Sequence, residues 1–252
     1  MNTIKLLTKA TTNPGSYHVL WTITDGKTAG IVQVNVETKT GDPKAVAELA
    51  ALRHLLVKAH VFVGRESPRN TKIHFSVDTA YEAALDVRTR GHAGFARFLH
   101  IRYPVSKAVL DNQHRWTRKA VAKELIEITV NEAEKERIYS PVIGSIEVTV
   151  HAMEKIMRHY PDAKNPYKTL TALLGTRNME RVEVTGKLKK AKQAKYLGKG
   201  GEGVMYRDPI NEMVYQLSAD GNVLVTAFKR KERYMTKCRR MAVEPRARIQ
   251  YA

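Results

Sequence analysis

The sequence predicts an α/β (α+β) chain: a mixed sheet with helices first, then a smaller α+β region of two helices and an antiparallel meander. Three observations lead there. Residues 17–23 (YHVLWTI) and 30–36 (GIVQVNV) are β-branched and aromatic runs flanking the turn dipeptide Asp25-Gly26. A helical stripe of Val46, Leu49, Leu52 and Leu56 follows them directly. Beyond residue 180, short alternating runs recur. A hydrophobic fraction of 43% over 252 residues is enough to bury a core, in one large domain or two ordinary ones.

Taken in order, residues 3–10 (TIKLLTKA) read as the first strand and the hairpin supplies the next two. Asp42-Pro43 is an N-cap followed by proline in the first turn, so a helix starts there and runs through AVAELAALRHLLVKAH. Residues 72–77 (KIHFSV) form a strand with Ile73, Phe75 and Val77 on one side, and Asp78 caps a helix over 79–90. A long helical stretch over 106–128 closes this portion. Ser140-Pro141 follows a charged segment and reads as the joint, which predicts domains over 1–140 and 141–252. In the second, helices are expected over 151–160 and 165–175, with Asn165 as N-cap and Gly175 as stop. Strands follow at 181–185, 204–207, 213–217 and 223–228, with Asp220-Gly221 turning the last hairpin.

Charge narrows the function. Lys and Arg number 43 against 25 Asp and Glu, a net of +18, far above the magnitude of about 2 to 8 that solubility asks of a small domain. Residues 1–150 hold 21 basic and 15 acidic residues, and residues 151–252 hold 22 and 10. The shorter portion carries twice the excess, which points to a polyanionic partner. No stretch has the length and apolarity of a membrane span, and residues 1–10 do not read as a secretory leader. The single cysteine, Cys238, excludes an intrachain disulfide and a cysteine zinc site, so a cytoplasmic location is expected.

The first portion resembles a ribonuclease H-like domain, in the first strand TIKLLTKA, the hairpin, the helix containing AELAAL and the segment HFSVDTAYEAAL. The resemblance implies carboxylates converging from the first strand, the first helix, the fourth strand and a late helix around two divalent ions. The helix carboxylate falls on Glu48 and the fourth-strand one on Asp78, each with a plainer reading as a solvated helix residue and a cap. The first-strand position falls on or beside Lys9, and the late-helix position near Trp116, with Asp111 the nearest acid. A lysine in that place would repel a metal ion and attract phosphate. The domain is therefore expected to bind nucleic acid without two-metal cleavage, with no cofactor and with Glu48 and Asp78 as residual carboxylates.

The second portion resembles the RelE-like and colicin-type ribonuclease fold, in its two helices and the meander ending in VLVTAFKRKERY. That resemblance implies metal-free cleavage of RNA through a base and phosphate-steadying cations. His151, Arg207 and Lys229 are the candidates, as an alternative to a catalytically silent domain. Two basic runs carry the binding expectation: Lys187, Lys189, Lys190, Lys192, Lys195 and Lys199, then Lys229, Arg230, Lys231, Arg233, Lys237, Arg239 and Arg240. GKGGEG at 198–203 matches G-x-G-x-x-G in the wrong context, since it precedes a strand, and reads as a loop that admits phosphate or as a plain turn. Tyr196, Tyr206, Tyr215 and Tyr234 could stack on bases or pack in the core. These readings converge on a non-catalytic protein that binds the RNA backbone with little sequence preference. The alternatives are a metal-independent endoribonuclease and a basic assembly protein that docks on the ribosome. The sequence leaves the oligomeric state open.

Overall fold

A computed structural model describes residues 2–23, 28–39, 41–62, 70–86, 91–118, 125–184, 203–229 and 238–240. The chain divides into two compact units, Met1–Lys135 and Glu136–Ala252, and its fold class is α+β, with two mixed sheets and five α-helices among the described residues. The Asp25-Gly26 turn lies outside those residues.

In the first unit, β1 (Asn2–Ala10), β2 (Ser16–Ile23) and β3 (Thr28–Val36) pair antiparallel. Then come α1 (Pro43–Arg53), a π-helical turn (His54–Lys58), β4 (Thr71–Phe75), α2 (Asp78–Leu85), α3 (Ala93–Arg102), β5 (Lys107–Leu110) and β6 (Leu125–Val130). The sheet order is β5-β4-β1-β2-β3-β6, with β4 parallel to β1, β5 to β4 and β6 to β3. Three antiparallel strands, a helix and a further strand follow in the order that the sequence predicts, and the further strand lies beside the first.

Helix α1 begins where the sequence places it: the Asp42 side chain accepts from the Lys44 amide at 2.9 Å, and Pro43 fills a position whose N–H would have no helical partner. Its neighbours decide what it buries. It packs on β1, β2 and β3 and also against α2 and α3, so seven residues of α1, Ala45 to Leu49 with Ala51 and Leu52, are buried. Val46, Leu49, Leu52 and Leu55 meet Ile4, Leu6, Val19, Val32, Val34 and Phe75 in one core. Each such side chain contributes about 1.5–3 kcal/mol of burial energy. Across β2 and β3, Gly30 sits directly under Trp21; a Cβ there would come within 2.8 Å of the indole nitrogen.

The expected helix over 106–128 is replaced by β5, a short 3₁₀ turn (Arg115–Arg118) and β6. The reason is legible in LIEITV, whose strict alternation and β-branched residues suit pairing with Ile31 to Val36 of β3. The helix expected over 79–90 ends at Leu85, with residues 87–90 outside the described set.

The second unit runs β7 (Arg137–Ser140), β8 (Gly144–Val148), α4 (Val150–His159), α5 (Pro166–Leu174), β9 (Glu180–Val184), β10 (Met205–Asp208), β11 (Met213–Leu217), β12 (Val223–Lys229) and β13 (Cys238–Arg240). Its sheet order is β13-β9-β10-β11-β12-β8-β7, antiparallel except where β12 meets β8. The two helices and the meander are those the sequence predicts. Asn165 caps α5 by accepting from the Lys168 amide. Ser140-Pro141 is not a linker; Ser140 ends β7 and its hydroxyl oxygen accepts from the amides of Val142 and Ile143 in the turn to β8. Thr149 joins α4 to the sheet, capping the Ala152 amide and donating its hydroxyl to the Leu224 carbonyl at 2.8 Å.

Candidate functional site

The residues matched to a carboxylate centre lie where the end of β1, the middle of α1 and the end of β4 meet. Glu48 is fully buried there. Thr8 Oγ1 donates to its Oε2 at 2.6 Å, Ser76 Oγ donates to the same oxygen at 2.7 Å, and the Ser76 amide donates to Oε1 at 2.6 Å. The Thr8 amide in turn donates to Ser76 Oγ at 2.9 Å, closing the ring. Burial pushes the Glu48 carboxyl above its ordinary value, and the hydrogen bonds from Ser76 and Thr8 pull partly against that. Glu48 is therefore a clasp between three elements and no solvated helix residue.

The donor set does not fit the two divalent ions that the family resemblance implies. Both carboxylate oxygens are taken up by hydrogen-bond donors, the strand positions beside them carry hydroxyls, and no cluster of three His, Cys, Asp or Glu side chains suited to a metal occurs among the described residues.

Two expected positions shift. Lys9 does not enter the cluster: it is exposed and pairs with His18, on the opposite face from Thr8. Side chains alternate along a strand, so a one-residue offset moves a side chain to the other side of the sheet. The first-strand position is therefore Thr8, a neutral hydroxyl and not an ammonium. Asp78 likewise stands away; it opens α2 and is exposed, while Ser76 is the residue at the end of β4 that reaches Glu48. The parity of β1 could have shown this. Lys5 and Lys9 share one side, which leaves Thr8 with Ile4 and Leu6 on the apolar one. Trp116 belongs to the 3₁₀ turn and to no late helix. Asp111 lies 3.7 Å from His74 Nδ1 and accepts from the amides of Gln113 and His114.

In the second unit, His151, Arg207 and Lys229 do not come together. Arg207 pairs with Val214, and Val214 with Phe228, whereas Lys229 pairs with Met213 in the row of Asp208. Arg207 and Lys229 thus face opposite sides of the sheet. Lys229 lies at the far end of α4, its Nζ 4.6 Å from the Tyr160 ring centroid and its amide 3.3 Å from His159 Nε2. His151, at the start of α4 and 3.7 Å from Glu154, is about 12 Å back along the helix axis. Tyr206 and Tyr215 are buried core residues, not stacking platforms, and Tyr196 and Tyr234 lie outside the described residues.

Lys187, Lys189, Lys190, Lys192, Lys195, Lys199, Arg230, Lys231, Arg233 and Lys237 lie outside the described residues, and of Arg239 and Arg240 only the backbone, in β13, is described. Of the glycine-rich loop, Gly203 is described; a Cβ on it would stand 2.3 Å from the Leu217 carbonyl oxygen, so glycine lets the chain close onto β11.

No helix among the described residues is long and apolar enough to cross a membrane. Comparison with protein-family models and with curated proteins returns no match. Among solved structures, LC11-RNase H1 in complex with an RNA/DNA hybrid aligns with 18% identity and a TM-score of 0.37, over 47% of this chain and 90% of that one.

Proposed function

We propose that this chain is a non-catalytic nucleic-acid-binding protein whose partner is RNA, held mainly through phosphates and with little sequence preference. The observation that carries the reading is the net charge of +18, which is unevenly distributed: the first unit has 20 basic against 13 acidic residues, the second 23 against 12. Such an excess on a folded α+β chain is the electrostatic footprint of a polyanion partner. The enclosure of Glu48 by Thr8 and Ser76 supports the absence of two-metal cleavage, and the separation of His151, Arg207 and Lys229 speaks against a metal-free site built from them.

Purified protein incubated with labelled RNA, with magnesium and separately with EDTA, tests this on a sequencing gel beside a retardation gel. Retarded, intact RNA is expected in both. With about 6 to 10 phosphate contacts, affinity falls about 10³- to 10⁵-fold between 50 and 200 mM salt. Discrete cleavage lost in Glu48→Gln, or in His151→Ala, would overturn the non-catalytic reading. Salt-independent binding would overturn the backbone-contact one.

A further inference from the structure

The first sheet has two unlike faces. Ile4 and Leu6 of β1, Ile73 and Phe75 of β4, and Ala108 of β5 point into the core shared with α1, α2 and α3. By alternation the residues between them point the other way. The register places Thr3 beside Lys72, Lys72 beside Lys107, and Lys5 beside His74. Lys107, Lys72 and Lys5 thus lie on three neighbouring strands on the face turned away from α1, α2 and α3, and Lys9 follows Lys5 along β1. Strand spacing of about 4.8 Å puts the outer two of the three strands about 10 Å apart.

Among the described residues, none of these four lysines is within ion-pair distance of a carboxylate. Asp111, at this edge, lies against His74. The His74 imidazole independently registers the crowding: burial, then Lys72 and Lys5, hold its pKa below the ordinary histidine value, with Asp111 acting in the opposite direction. Four ammonium groups with no ion-pair partner among the described residues repel one another on one face, and a row of phosphates is the ligand chemistry that relieves this. No Phe, Tyr or Trp of β1 to β6 points to this side, because Tyr17, Trp21 and Phe75 all fall on the core-facing parity. A strand laid here would therefore be gripped by its backbone, without base stacking.

We propose that this face is a second RNA-backbone contact, with Lys5, Lys72 and Lys107 as its phosphate-holding residues and Lys9 extending the row, separate from the basic runs of the second unit. The proposal rests on the RNA-binding reading above. Its test is the full-length triple variant Lys5→Gln, Lys72→Gln, Lys107→Gln, titrated with a fluorescent oligouridylate across a salt series. Loss of three single-strand contacts lowers the slope of log K against log salt by about 2 and weakens binding at least about tenfold near 50 mM salt. The corresponding triple Lys→Arg variant keeps the wild-type slope. In the wild-type chain, RNA also protects these three lysines from acetylation, read by mass spectrometry, so the test stands even where the Gln variant folds poorly. Wild-type binding with an unchanged variant slope and no protection overturns this inference and leaves the RNA-binding reading intact. Failure of the wild-type chain to bind RNA overturns both. Equal protection by polyglutamate would mark the face as a general anion or acidic-protein surface and overturn the assignment to RNA.

Discussion

Among the described residues, Glu48 of the first unit and Asp208 of the second are fully buried, and they are held in opposite ways. Glu48 takes its hydrogen bonds from Thr8 and Ser76, 40 and 28 residues away in the chain. Asp208 takes its own from the Ile210 amide, the Asn211 amide and the Asn211 side chain, two and three residues ahead. The first is a tertiary clasp that exists only when β1, α1 and β4 have met; the second is a turn that makes its own shelter. A buried carboxylate thus has no fixed meaning, and the reach of its partners decides what it does.

The largest effect that can break this comparison is at the clasp. Glu48→Ala leaves the Ser76 amide and two hydroxyls unpaired in a dry site, and is expected to lose about 3–5 kcal/mol of unfolding free energy in a denaturant titration. A loss below about 1 kcal/mol would mean that the ring of hydrogen bonds contributes little. Asp208→Ala should lose less, about 1–2 kcal/mol, because the freed amides are only part-buried and need a small local opening to reach water. If the two variants proved equal, the distinction between distant and local partners would fail.

The clasp also carries a pH signature. The folded Glu48 carboxyl has a value raised above the ordinary 4.5. Between 4.5 and that raised value the folded protein keeps a proton that the unfolded chain has released. This group's contribution to stability is therefore full below 4.5 and declines as pH rises through the folded value, by at most about 1.4 kcal/mol per pH unit. Glu48→Gln should flatten that decline in melting curves taken across the acid range. The smallest effect belongs to the second unit's exposed contact. Lys229→Met removes the ammonium over the Tyr160 ring and should lower stability by about 0.5 kcal/mol, near the limit of a chemical-denaturation measurement.

How much of this the sequence discloses depends on the range of the interaction involved. Asp42-Pro43 and Asn165-Pro166 announce the starts of α1 and α5 because a cap and its first turn are local. The hairpins β10–β11 and β11–β12 of the second unit are legible for the same reason, each closed by its own turn. Glu48 could be matched by position, but its burial could not be read, since α1 is enclosed by α2 and α3 as well as by the sheet. Thr8 was hidden by one step of register, although the two lysines of β1 carry the parity that places it. Strand β6 carries its own alternation in LIEITV, but its partner β3 is far away in sequence, so no local turn marks the pairing. Ser140-Pro141 reads as the joint because it follows a charged segment and proline ends helices, yet the same dipeptide serves the tight turn between β7 and β8.

The pairing of β3 with β6 spans 94 residues at Gln33 and Glu127, whose side chains also meet across it at 3.2 Å. During synthesis, β3 must wait as an unsatisfied sheet margin until nearly the whole first unit has left the ribosome. That makes closure of this margin a late, loop-entropy-limited event and the interval before it the one in which nascent chains are most exposed to pairing with each other. Amides of β3 shared with β6 should accordingly gain protection last in pulsed hydrogen exchange, after those that β3 shares with β2.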